Sequence, residues 1–249
     1  FQLAIAALAV APSLAQSAGL DPAQTVSTTD TTSPEPIGDQ AAVDGDSAIV
    51  LGGPTAGVDP VAPLRVLFLE RGSGGIWSET QAIDLPLDTN PLGAGTVAIE
   101  GDIATVFDER RISLGFFRTY VHVFERGAQG IWSITRSLDG GTPMSELGAP
   151  SLVEISGEDL MILETTSLGL RVFRRSGGPG TWPLVQTIGY SSGIVLPLDI
   201  AVSGDLALVC DVLSDALVFE RDAAGVWNAA GSIPNPAGNE TFGFNHATD

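Results

Sequence analysis

Residues 123–132 read VFERGAQGIW, and close copies of that string occur three more times. They are FLERGSGGIW at 68–77, VFRRSGGPGTW at 172–182 and VFERDAAGVW at 218–227. Each copy has an apolar run, a charged corner, a glycine-rich turn and a tryptophan. Trp77, Trp132, Trp182 and Trp227 stand 55, 50 and 45 residues apart. A second marker precedes each copy: VDGDSAIVL (43–51), IEGDIATVF (99–107), ISGEDLMIL (155–163) and VSGDLALVC (202–210). Two markers in a fixed order at a period near 50 indicate propeller blades or a solenoid.

Each unit resolves into four short strands. The first ends at the Gly-Asp turn, as in VAIE (97–100), and the second follows at once, as in IATVF (103–107). The third, YVHVFE (120–125), turns through the glycine-rich corner into the fourth, IWSITRSL (131–138). Glycine in a two-residue turn supplies the positive φ that a tight hairpin needs.

The third strand decides the architecture. Val66, Val121, Leu170 and Ala216 hold one position, and Phe68, Val123, Val172 and Val218 hold the position two residues on. Those positions share a face. Leu69, Phe124, Phe173 and Phe219 occupy the opposite one. A sheet with a wet side would alternate apolar with polar, so a strand apolar on both faces is covered on both. Radially stacked blades give that cover, with the tryptophans capping the gaps between sheets and their N–H groups finding partners at the rim. A two-sheet sandwich with aromatic plugs is the alternative. The expectation is an all-β protein: a β-propeller of four-stranded antiparallel blades at about 37–85, 92–138, 147–188 and 195–233. FGFNHATD (242–249) reads as the start of a fifth blade, so the ring is expected to be incomplete and poorly soluble alone.

Units of the form VAI-GD-ALV…VFER-GG-W resemble the FG-GAP repeat family of bacterial secreted proteins, relatives of the integrin α-chain propeller. The resemblance runs from about Ile37 to the C-terminus, although the name-giving Phe-Gly is clear only at Phe242-Gly243. It implies a secreted propeller for adhesion. It also raises calcium, held in that family by an extended acidic loop in the first hairpin. Here the hairpin is clipped to DGDS, EGDI, GEDL and SGDL. Two acids flanking a glycine cannot supply six or more oxygens, so no metal or cofactor is expected. Asp46, Asp102 and Asp205 are read as turn residues that bond local backbone N–H groups.

The remaining features bound the setting. The chain has 249 residues, with 11 basic residues, all arginine, against 30 acidic ones and a formal charge of −19. Such a surface repels nucleic acid and anionic lipid, so neither is an expected partner. The apolar run in FQLAIAALAVAPSLAQ is too short to span a bilayer but fits a secretory signal cleaved after Ala15, its charged start missing. Residues 16–36 are rich in Ser, Thr and Pro and read as a disordered leader. Export and no membrane insertion after signal removal follow. Cys210 is alone, so no intrachain disulfide forms, and it is read as a buried inert thiol.

Catalytic motifs are sparse. GYSSG (189–193) has the spacing of a nucleophile elbow, yet it joins two strands where the elbow needs a strand-to-helix turn. His122 lies mid-strand and His246 near the end, leaving the serines without an evident base. SGGPGTW (176–182) occupies the hairpin of a sialidase Asp-box without its acid. The loop between the second and third strands varies most. In DERRISLGFFRT it gathers Arg110, Arg111, Phe116, Phe117 and Arg118, a mixture that interfaces favour; the same arginines could equally pair with local acids. The expected function is therefore a secreted, non-enzymatic scaffold for adhesion or for protein or glycan binding. The alternative is the repeat module of a larger exported enzyme.

Overall fold

A computed structural model describes residues 37–52, 64–85, 90–113, 116–140, 150–164, 169–189, 197–211 and 215–234. The expected signal, leader, fifth-blade start and most of GYSSG lie outside these residues. Among these residues sixteen strands form four antiparallel sheets, each a simple up-and-down meander. Blade 1 holds β1 (Ile37–Asp44), β2 (Ser47–Gly52), β3 (Arg65–Arg71) and β4 (Trp77–Asp84). Blade 2 holds β5 (Asn90–Glu100), β6 (Ile103–Ser113), β7 (Phe116–Arg126) and β8 (Trp132–Gly140). Blade 3 holds β9 (Pro150–Ser156), β10 (Asp159–Glu164), β11 (Gly169–Arg174) and β12 (Leu184–Gly189). Blade 4 holds β13 (Pro197–Ser203), β14 (Leu206–Asp211), β15 (Ala216–Arg221) and β16 (Trp227–Ile233). The first strands neighbour one another, β1 on β5, β5 on β9 and β9 on β13. They are the inner strands of a β-propeller.

The apolar third strands lie between sheets. Val66 and Phe68 of blade 1 meet Val106, Phe124 and Trp132 of blade 2. Val121 and Val123 of blade 2 meet Val153, Phe173 and Trp182 of blade 3. Leu170 and Val172 of blade 3 meet Ile200, Phe219 and Trp227 of blade 4. Trp132, Trp182 and Trp227 are buried, and Trp132 stacks on Phe68 with centroids 4.6 Å apart.

A polar rule accompanies the apolar one. At seam 1–2, Glu70 takes Arg126 (2.9 Å) and the Gln81 amide bonds both the N–H and the carbonyl of Trp132. At seam 2–3, Glu125 accepts the Trp182 indole N–H (3.0 Å) and the Gly180 N–H. Blade 3 carries Arg174 where the other corners carry glutamate. The carboxylate has moved one strand over, to Asp159, which takes Arg174, Arg221 and the Trp227 indole N–H. A buried indole N–H left unpaired is costly, which explains why the acceptor persists although its residue changes.

Two expectations change. The side chains of Asp102 and Asp205 meet Arg175 (2.9 Å) and Arg221 (2.7 Å), so they hold corners together in addition to flanking turns. The variable stretch of blade 2 is strand for most of its length: Arg110 pairs with Arg118, Arg111 with Phe117 and Ser113 with Phe116.

Candidate functional site

Blade 2 differs from its siblings where an imidazole interrupts the apolar third strand. His122 occupies the register held by Leu67, Arg171 and Leu217 in the other blades. Side chains on one face of an antiparallel sheet meet directly across and diagonally, so His122 on β7 can reach both neighbouring strands. On β8 it faces Ser137, and its Nδ1 lies 2.8 Å from Ser137 Oγ. On β6 it lies across from Val106, and Asp108, two residues on, brings Oδ2 to 3.5 Å from Nε2. Three adjacent strands thus align a serine, a histidine and an aspartate.

Exposure grades along that line. Ser137 is exposed, His122 is 3% exposed and Asp108 is fully buried. With its proton on Nε2, facing the carboxylate, the imidazole leaves Nδ1 free to accept the serine hydroxyl. A hydroxyl in water, an imidazole beneath it and a buried carboxyl group behind it form the arrangement that activates a nucleophile. The strand carrying Ser137 is the outer edge of its sheet, so backbone N–H groups on its free side lack a strand partner. Such donors can stabilise an oxyanion. Blade 3 places Glu164 and Arg171 (2.6 Å) at the matching positions, so the register suits an acid–base pair.

Around the imidazole, the Tyr120 ring stacks at 5.7 Å and 15°. Arg118 lies over Tyr120 at 5.2 Å and forms a fork with the Asp139 carboxylate. Of the five residues expected to form an interaction loop, Arg118 is therefore engaged within its own blade. The backbones of Arg110, Arg111, Phe116 and Phe117 extend the β6–β7 hairpin, and their side chains lie outside the described set.

The inner strands carry a second group of acids. Burial of Glu154 on β9, reinforced by the nearby Asp199 carboxylate and, more weakly, Glu100, pushes its carboxyl up to about 8. The Ile155 N–H opposes this without reversing it. Glu154 is thus protonated at neutral pH and can donate a hydrogen bond. Among the described residues no cluster of three or more His, Cys, Asp and Glu side chains could hold a metal. Cys210 is buried, and that burial, with Asp199 adding to it, pushes its thiol up to about 11.

No protein-family model and no curated protein matches the chain. Among solved structures it is similar to a protein of Bacteroides uniformis provisionally named a 6-phosphogluconolactonase, at 14% identity and a TM-score of 0.54. The match covers 80% of this chain and 57% of that one, so this chain spans little more than half its length. A Lactobacillus plantarum protein (13% identity, 78% and 70% covered) gives 0.49. A second provisional 6-phosphogluconolactonase, from Bacteroides fragilis (14%, 78% and 69%), gives 0.42. The likeness to the Bacteroides uniformis protein shows the fold.

That likeness also corrects the sequence reading. The FG-GAP resemblance does not stand: no family model supports it, and the propeller that superposes carries a lactonase name. What suggested FG-GAP was the hairpin-and-corner grammar of a four-stranded blade, which other propellers share. The non-enzymatic adhesion scaffold is overturned by the same finding. Sequence reading missed the Ser137–His122–Asp108 alignment because it searched for a local motif, whereas these residues meet only across strands. The available signal was one polar residue in YVHVFE at a position that is leucine in two sibling units.

Proposed function

We propose that this chain belongs to a hydrolytic propeller that opens cyclic esters, with Ser137 as nucleophile, His122 as base and Asp108 as the buried anion behind it. The reading is carried by one observation: an exposed hydroxyl 2.8 Å from Nδ1 of an imidazole that is itself buried against a carboxylate. Nδ1 takes the hydroxyl proton as Oγ bonds to the lactone carbonyl carbon. The ring C–O bond then breaks and the leaving alkoxide takes that proton. Water, deprotonated by the same nitrogen, cleaves the acyl-serine and releases the hydroxy acid.

The lactone class is suggested by the name of the Bacteroides uniformis protein. A formal charge of −19 disfavours a phosphorylated substrate, so an uncharged aldonolactone is the expected one. The test is hydrolysis of glucono-δ-lactone and its 6-phosphate, followed by proton release. Ser137→Ala and His122→Asn are expected to lower kcat/KM by about 1,000-fold, and Asp108→Asn by about 100-fold. Variants that hydrolyse at the parent rate would overturn the reading.

A further inference from the structure

In a catalytic triad the acid orients the imidazole through a short hydrogen bond. Here Asp108 Oδ2 is 3.5 Å from Nε2, beyond an ordinary hydrogen bond, and among the described residues Nε2 has no hydrogen-bond partner. Ser137 tethers the ring at Nδ1 (2.8 Å), so the Nε2 side of the ring needs a different support. We propose that Tyr120 is the positioning residue of this site, with Arg118 and Asp139 as its anchor. The inference rests on the catalytic reading above.

Tyr120 and His122 are two residues apart on β7 and so share a face. Their rings lie 5.7 Å apart and within 15° of parallel, which hinders rotation of the imidazole about its Cβ–Cγ bond. Arg118, two residues further along the same face, places its guanidinium 5.2 Å from the Tyr120 ring centre, inside the range of a cation–π contact. Asp139, two residues beyond Ser137 on β8, holds that guanidinium with a two-pronged fork. Asp139, Arg118, Tyr120, His122 and Ser137 therefore form one continuous chain of contacts that ends at the nucleophile. No other blade has it: the residues at the Tyr120 register are Arg65, Gly169 and Asp215.

The test uses the full chain with Tyr120→Leu, Tyr120→Phe and Arg118→Gln. Tyr120→Leu is expected to lower kcat on glucono-δ-lactone about two- to tenfold with KM unchanged, and Tyr120→Phe to restore it. Arg118→Gln falls between them. In proton NMR the His122 ring signal, identified by its loss in His122→Asn, carries an upfield ring-current displacement that Tyr120→Leu removes and Tyr120→Phe keeps. If the leucine variant keeps both the parent kcat and the displaced signal, the positioning role is wrong. If the parent hydrolyses no lactone, the catalytic reading fails instead, and the NMR signature alone decides whether Tyr120 holds the ring.

Discussion

Glu154 keeps its proton at neutral pH because it is half-buried on an inner strand with Asp199 nearby. Its carboxyl rises from 4.5 to about 8 on folding. A group raised in the folded state favours folding fully below its unfolded value, and that contribution declines as pH rises through the folded one. Stability should therefore fall between about pH 4.5 and 8. Glu154→Gln, which cannot ionise, should flatten that fall. The check is urea midpoints of both proteins at pH 5 and 8.5: the parent loses stability between the two and the variant loses markedly less. Sequence reading did not find Glu154. The matching positions are Ala42, Ala98 and Ala201, so one acid among alanines was visible, but its carboxylate neighbours lie on other strands. His122 was hidden for the same reason: fifteen residues separate it from Ser137, and only the β7–β8 register brings them together.

At the scale of the element, the corner between third and fourth strands is the part that locks one blade to the next. Gly180 lies in the corner of blade 3 at φ +76°, and a Cβ there would sit 2.6 Å from the Thr135 carbonyl oxygen of blade 2. Gly101, in a hairpin at φ +59°, has nothing within 4 Å. Both alanine variants strain the backbone, but only Gly180→Ala also forces two sheets apart. Thermal unfolding should show it costing about 2 kcal/mol more than Gly101→Ala. Equal costs would mean that the corner does not bear on the neighbouring blade. Glu125→Ala, which strips the acceptor from the buried Trp182 N–H, should cost about 2 kcal/mol in the same measurement. The elements themselves were legible, because two-sided apolar strands, Gly-Asp hairpins and corner tryptophans are local patterns. The seam chemistry was legible only in part: the glutamate of VFER and FLER is visible, but its replacement by Asp159 on a different strand is not.

At the scale of the molecule, three seams join the four blades of the described residues, and acid should loosen the third of them. Burial alone would raise the Asp159 carboxyl. Hydrogen bonds from Arg174, Trp227 and Arg221, with the charge of Arg174, outweigh that and hold it below its ordinary value of 3.8. Its contribution is present above 3.8 and is lost as pH falls through the lowered folded value. Hydrogen exchange below pH 4 should therefore show protection of β15 and β16 falling more than in Asp159→Asn, which lacks this titration. The repeat made the propeller readable from sequence, whereas fold alone does not specify chemistry, and the family resemblance led to the wrong function. The proposed hydrolytic site lies where one blade departs from the pattern of its siblings. The most direct test is the intact mass of the chain after brief exposure to an activated ester such as p-nitrophenyl acetate. One added acetyl group is expected on Ser137, absent in Ser137→Ala and in His122→Asn. No adduct on the parent chain, or the same adduct in both variants, would contradict the hydrolytic reading.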